Sequence, residues 1–186
     1  MTAKRVLIKH LNHRSDVGAV EPGTARFSTG FQVELDGVFA PVSDEQVLGA
    51  ALRIAAERMV ESAPLLGPRA TREYLTLRFA RLEYEVFACL YLDNRIRVIE
   101  CEELFRGTID GSSVHPREVV KRALRYNAAA VILAHNHPSG VAEPSQADEF
   151  ITKRLKQALA LVDIRVLDHF VIGGAVAESM AERGLL

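Results

Sequence analysis

The chain has no apolar run longer than seven residues: Val86–Leu92 and Ala128–Ala134 are the longest. A helix spanning a bilayer needs about 20, so a membrane protein is not expected. Cysteine is scarce. Cys89 and Cys101 are the only two, and they form no CxxC pair, which excludes a disulfide scaffold or a thiolate-rich metal knuckle. The basic N-terminus MTAKRVLIKHLNHR lacks an apolar core followed by a small-residue cleavage site, so no secretory signal is read there. Both features point to a reducing, cytoplasmic setting. Charge of one sign is lacking too. The 23 Lys+Arg nearly balance 24 Asp+Glu, and a net charge of −1 gives no global attraction to nucleic acid or anionic membrane. There is no internal repeat and no low-complexity tract. What remains is ordinary globular composition, 48% hydrophobic and 25% charged over 186 residues, enough for one domain and a short extra segment.

Residues 1–41 form an N-terminal extension in which a short hairpin is expected. Phe31, Val33 and Leu35 alternate with polar residues, and Asp36-Gly37 is a turn signal before Val38-Phe39. A helical linker segment, 42–65, should start at Ser43, where Ser43 and Gln46 match a capping box. Breakers at Ala63–Pro68 end it, and a second helix should follow from about Arg69. From Glu85 the pattern turns to strands: Val86–Leu92, Arg97–Leu104, and a third around Thr108-Ile109. Pro116 suits the first position of a helix reaching Tyr126. Ala129–Ala134 reads as a buried strand, His135–Pro144 as a loop, Ser145–Leu161 as a helix and Ile164–Ile172 as a strand, with a short tail after it. The class is α+β, or mixed α/β.

Six histidines are spread over the chain, but His135-Asn136-His137 directly follows the buried strand. In extended backbone, side chains at i and i+2 share a side, so both imidazoles can reach one metal ion. Asp148 falls in the first turn of the next helix and can return a carboxylate oxygen to the same point. Three ligands of this kind leave a fourth tetrahedral position for water, the open arrangement of a catalytic zinc. Nitrogen and oxygen donors suit zinc without excluding other divalent ions. Taken alone, His-x-His is more often not a metal site, and Ser145 with Asp148 reads as a variant capping box. Their placement on the two sides of one short loop favours the metal, and capping and ligation need not exclude one another.

His135-Asn136-His137, seven residues, Ser145, two residues and Asp148 resemble the His-x-His-x(7)-Ser-x(2)-Asp core of JAB/MPN metalloproteases, the JAMM motif. The run AHNHPSGVAEPSQAD, with ELFRGTIDGSSVHPREVVKRAL upstream and DIRVLDHFVIG downstream, resembles the RadC-like branch. The resemblance covers about 66–186, the expected RadC-like MPN/JAB domain. It does not extend to residues 1–41, and no helix-hairpin-helix module is evident. Asn136 stands where the wider family has Ser or Thr. The fold implied is a curved β-sheet flanked by helices, with cytidine-deaminase-like layering.

The resemblance also calls for a glutamate on a core strand. Glu85, opening an apolar strand, fits better than Glu83. The implied activity is zinc-dependent hydrolysis of an amide by a peptidase or isopeptidase, using one Zn²⁺ with a bound water. His135, His137 and Asp148 would hold the metal, Glu85 would be general acid/base, and Ser145 would donate to the oxyanion. A serine hydrolase is a weaker reading, since Asp148 stands in the wrong relationship to the histidines. Two other classes stay open: a DNA-repair-associated accessory protein and a catalytically silent MPN-type interaction module. Direct nucleic-acid binding is not favoured, because Lys121, Arg122, Arg125, Lys153, Arg154 and Lys156 read as solvated helix faces. His115 reads as a helix-entry residue and His169 as a hydrogen-bonded structural histidine. The partner expected is a protein or peptide substrate.

Overall fold

A computed structural model of the chain describes residues 8–10, 31–35, 38–61, 68–79, 82–107 and 114–186. The chain divides into two compact units, Met1–Arg53 and Ile54–Leu186.

The first unit holds a three-stranded antiparallel sheet of β1 (Ile8–His10), β2 (Phe31–Leu35) and β3 (Val38–Pro41), in that order. Leu35 pairs with Val38, so β2 and β3 form the expected hairpin; the turn residues 36–37 lie outside the described residues. β1 was not legible, because three residues cannot display an alternation. Helix α1 (Asp44–Glu61) begins with the capping box the sequence announces. The Ser43 N–H donates to Gln46 Oε1 at 2.9 Å, and the Gln46 N–H donates to Ser43 Oγ at 3.2 Å.

The second unit is mixed α+β, a five-stranded sheet with helices on both faces. The elements are α2 (Pro68–Phe79), β4 (Val86–Leu92), β5 (Val98–Arg106), α3 (Pro116–Arg125), β6 (Ala130–Asn136), α4 (Gln146–Ala160), β7 (Arg165–Gly173) and β8 (Val176–Ser179). The strand order is β5-β4-β6-β7-β8; only β6 and β7 are parallel, joined by the crossover helix α4. β4 and β6 are buried along their whole length, as their unbroken apolar runs require. On one face Ala88, Leu90, Ile132 and Phe170 pack with Leu75 and Phe79 of α2. On the other, Cys89, Tyr91, Val131 and Leu133 pack with Val119 and Ala123 of α3 and Leu155 and Leu159 of α4. Both cysteines are free, Cys89 in the second of these clusters and Cys101 against the first.

β5 runs two residues past the expected Leu104, and two further differences from the sequence reading bear on the site. β6 runs two residues past Ala134, because His135 and Asn136 still pair with Val171 and Ile172 of β7. The expected tail holds a strand: β8 folds back on β7, with Gly173 opposite Val176 and Gly174 at φ +59° in the turn. The strand expected around Thr108-Ile109 and the breakers at 63–67 lie outside the described residues. No helix among those described is long and apolar enough to cross a membrane.

Candidate metal centre

β6 delivers His135 and Asn136 at its C-terminal end, beside the parallel strand β7, where open α/β sheets bind ligands. His135 is on the α4 face of the sheet, 2% exposed, its ring stacked 11° from parallel with Phe87 of β4. His137 follows just past the strand, with its N–H donating to the Ile172 carbonyl at 2.8 Å. The chain then turns through Gly140, at φ +82°, and returns Val141 to the His137 ring. His137 Nδ1 lies 2.8 Å from the Val141 carbonyl oxygen. A carbonyl can only accept, so in the neutral ring the hydrogen sits on Nδ1 and Nε2 is the free lone pair.

Gly173 makes this loop possible. A Cβ there would lie 2.4 Å from Ala142 N and 2.5 Å from the Val141 carbonyl carbon, so only glycine lets the loop rest on β7.

Helix α4 brings the carboxylate. Ser145 is its N-cap and Asp148 its third residue, and they form a reciprocal capping box. The Asp148 N–H donates to Ser145 Oγ at 3.2 Å, while Asp148 Oδ2 accepts from Ser145 N–H and Oγ–H, both at 2.7 Å. Asp148 Oδ1 lies 3.1 Å from His135 Nε2, and Oδ2 lies 3.6 Å from His137 Nε2. The two Nε2 atoms are 2.9 Å apart. One carboxylate thus serves as cap and site group at once.

Among the described residues, His135, His137 and Asp148 form a group able to hold a metal ion, with ligand atoms within 4.8 Å of one another. Zinc bonds of about 2.0–2.1 Å at tetrahedral angles separate donors by about 3.3 Å, and the three observed spacings straddle that value. The carboxylate and the bare Nε2 of His137 are acceptors aimed at one point, which calls for a positive centre. Two nitrogens and one oxygen suit zinc.

The electrostatics agree. Burial works against the Asp148 charge, but the facing His135 and His137 imidazoles and the Ser145 hydroxyl hold its carboxyl well below the usual carboxylate range. The Asp148 hydrogen bond raises His137, over an opposing effect of burial, and Glu85 adds to the rise. Burial and the neighbouring His135 push His169 well down.

Glu85 immediately precedes β4. With Glu83, Arg106 and His137 it lines a cleft of about 560 Å³. Glu85 is half-buried and Glu83 exposed. Asn136, between the two histidines, grips the backbone on both sides of Glu85. Its Oδ1 accepts from the Val86 N–H at 2.8 Å, and its Nδ2 donates to the Tyr84 carbonyl at 3.0 Å. The Glu85 carbonyl in turn accepts from the Gly107 N–H at 2.7 Å. The structure therefore brings all five sequence-selected residues to one end of the sheet: His135, His137, Asp148 and Ser145 in one contact network, and Glu85 lining the same cleft as His137.

Sequence reasoning missed three supports. In the sequence Asn136 shows only as the branch's residue in place of Ser or Thr, and its grip on the backbone beside Glu85 has no local signal. His169 is hydrogen-bonded, as expected, but its partners are His135 and Thr152. Thr152 stands four residues after Asp148 on α4, a spacing that shares a helix face and could have drawn notice. His115 does enter α3, without a side-chain cap.

Residues 65–185 match the RadC-like JAB domain family. A UPF0758 protein of Nitrosococcus oceani is 70% identical over 122 residues, covering 66% of this chain and 54% of the relative. One from Thioalkalivibrio sulfidiphilus is 63% identical over 142 residues, 76% of this chain and 63% of its own length. One from Marinobacter nauticus is 62% identical over 136 residues, covering 73% and 61%. The chain spans a little over half to just under two thirds of these relatives.

Proposed function

The chain belongs to the RadC-like JAB domain family, and from that premise we propose that it is a zinc-dependent metallohydrolase, a peptidase or isopeptidase acting in the cytoplasm on an amide bond. The carrying observation is the convergence of His135 Nε2, His137 Nε2 and the Asp148 carboxylate on one point at the edge of a cleft that Glu85 also lines. His135, His137 and Asp148 would hold one Zn²⁺. When bound there, the ion would supply Lewis acidity, lowering the pKa of a water to about 7 and polarising a carbonyl.

The remaining work falls to side chains. Glu85 accepts the proton of the attacking water and delivers it to the leaving amine nitrogen. Asn136 fixes the backbone from which Glu85 reaches, so the carboxylate approaches from the β4 side while the ligands approach from β6 and α4. Ser145, exposed at the N-terminus of α4, turns its hydroxyl hydrogen from Asp148 Oδ2 to the developing oxyanion. The unsatisfied N–H groups of that helix end favour negative charge at the same place.

The deciding experiment pairs metal analysis of the purified protein with a peptide- and isopeptide-library cleavage screen, comparing the wild type with Glu85→Gln. One equivalent of zinc, with cleavage lost in Glu85→Gln, is the expected result. Zinc without cleavage of any substrate favours the silent interaction module. Salt-dependent duplex binding without zinc favours the DNA-associated role.

A further inference from the structure

A line of hydrogen-bonding groups leads from one candidate ligand to the backbone of another. His135 Nδ1 lies 2.9 Å from His169 Nε2. His169 Nδ1 lies 2.5 Å from Thr152 Oγ1, and Thr152 Oγ1 lies 2.5 Å from the Asp148 carbonyl oxygen. His169 is 0% and Thr152 1% exposed, so neither trades these partners for solvent.

Counting hydrogens gives the line a direction. A hydroxyl carries one hydrogen, and a carbonyl oxygen can only accept. Thr152 gives its hydrogen to the Asp148 carbonyl, one turn back along α4. Its oxygen is then an acceptor towards His169, which must carry its own hydrogen on Nδ1. That leaves His169 Nε2 a bare acceptor, so His135 carries its hydrogen on Nδ1. The consequence falls on the far side of the His135 ring: Nε2 has no hydrogen and presents its lone pair to His137 and Asp148. The reverse direction would place a hydrogen on His135 Nε2, between the three ligand atoms.

From this geometry, and resting on the metal reading above, we infer that His169 and Thr152 are positioning residues that lock His135 into the tautomer a metal ion requires. One turn of α4 supplies both the Asp148 carboxylate and the hydroxyl that sets the tautomer of the histidine ligand. Val141 does the same for His137 with a backbone carbonyl. Outer partners of this kind are worth about 10–100-fold in metal affinity.

Two readouts test this without any substrate. Long-range proton–nitrogen NMR of ¹⁵N-labelled protein, with and without zinc, should find the His169 hydrogen on Nδ1. Competition with a chromophoric chelator should find zinc bound about 10–100-fold more weakly by Thr152→Val, with Thr152→Ser near the wild type. His169→Gln, whose Oε1 can accept in place of Nε2, should hold zinc more tightly than His169→Leu. This second pair decides if Thr152→Val melts below the assay temperature. Zinc uptake indifferent to Thr152→Val and to His169→Leu, or a His169 hydrogen on Nε2, overturns the inference alone. A wild type that takes up no zinc overturns the metal reading and this inference with it.

Discussion

Asn136 and Val86 are joined at 2.8 Å, side-chain carbonyl to backbone N–H, and the same Asn136 amide donates to the Tyr84 carbonyl at 3.0 Å. Asn136 is 3% exposed, so this clamp is buried. It links the strand that carries the histidines to the residue proposed for proton transfer. The backbone around Glu85 is thereby fixed by β6 before any substrate arrives.

Removing the clamp should separate catalysis from metal binding. Asn136→Ala leaves the Val86 N–H and the Tyr84 carbonyl without their partner, a cost of about 1–3 kcal/mol for a buried group left unsatisfied. Urea unfolding should show that loss. Zinc affinity should change little, since neither histidine depends on the amide, while turnover should fall as Glu85 loses its anchoring. Full turnover in Asn136→Ala would show that the clamp serves the fold alone.

Gly173 gives a test from the other side of the loop. A Cβ at Gly173 meets Ala142 N at 2.4 Å and Gly140 O at 2.6 Å, both backbone atoms that cannot swing aside. In Gly173→Ala the loop must lift, carrying the Val141 carbonyl away from His137 Nδ1. Overpacking of this kind costs about 1–3 kcal/mol, and zinc affinity should fall about 10-fold or more with the lost orientation. Gly174→Ala is the control. At φ +59° it is strained by roughly 1–2 kcal/mol, yet a Cβ there meets nothing, so zinc should bind normally. Equal zinc affinities in the two variants would contradict the argument.

The parts of this site that sequence could show are those written in spacing. His135 and His137 two apart on a strand, and Ser145 and Asp148 three apart at a helix start, each follow from local geometry. The apolar runs of β4 and β6 likewise announced the centre of the sheet. Asn136 to Tyr84, and His169 to His135, join residues 52 and 34 positions apart. Such pairs depend on which strands become neighbours, and nothing local encodes that order. β8 fell between the two cases. Its turn signal, Gly173-Gly174, is in the sequence, but four residues are too few for alternation to register. Glu85 over Glu83 rests on the apolar strand that follows Glu85; the Asn136 clamp on the backbone at Tyr84 and Val86 is a contact that no local spacing shows.

Stability of the metal-free protein should pass through a maximum near pH 6.5. His137 has a folded pKa above its ordinary 6.5, held up by the Asp148 hydrogen bond and opposed by burial. Its stabilisation is complete below about pH 6.5 and is lost as pH rises through the raised value. His169 has a folded value well below 6.5, through burial and then the nearby His135. The unfolded chain binds that proton and the folded one does not, so stability falls as pH drops below about 6.5. Asp148 acts in the same direction at lower pH. Its depressed folded value gives stability that is present above about 3.9 and lost in acid. Urea midpoints from pH 4 to 9, with chelator present, should trace this curve. His137→Gln should flatten the alkaline fall, and His169→Gln the first part of the acid fall. A wild-type midpoint that climbs steadily from pH 6 to 9 would refute the assignment.

Three substitutions at the reacting end should give three different signatures. Glu85→Gln should keep one equivalent of zinc, because Glu85 is not among the converging ligand atoms. Its turnover should fall about 10²–10⁴-fold with the loss of proton transfer. Asp148→Asn should instead lose zinc, since the amide supplies no charge between the two imidazoles, and loss of activity would follow from the empty site. Ser145→Ala should lie between them. Losing an oxyanion donor costs roughly 10²–10³-fold in turnover, and losing the N-cap about 1 kcal/mol in stability. The same hydroxyl donates to Asp148 Oδ2 at 2.7 Å, so zinc should be held slightly less tightly as well. Metal content, melting temperature and turnover measured together on each variant separate the three. Should Glu85→Gln cleave a substrate at the wild-type rate, proton transfer would pass to Glu83, which lines the same cleft, and Glu83→Gln would then show the loss.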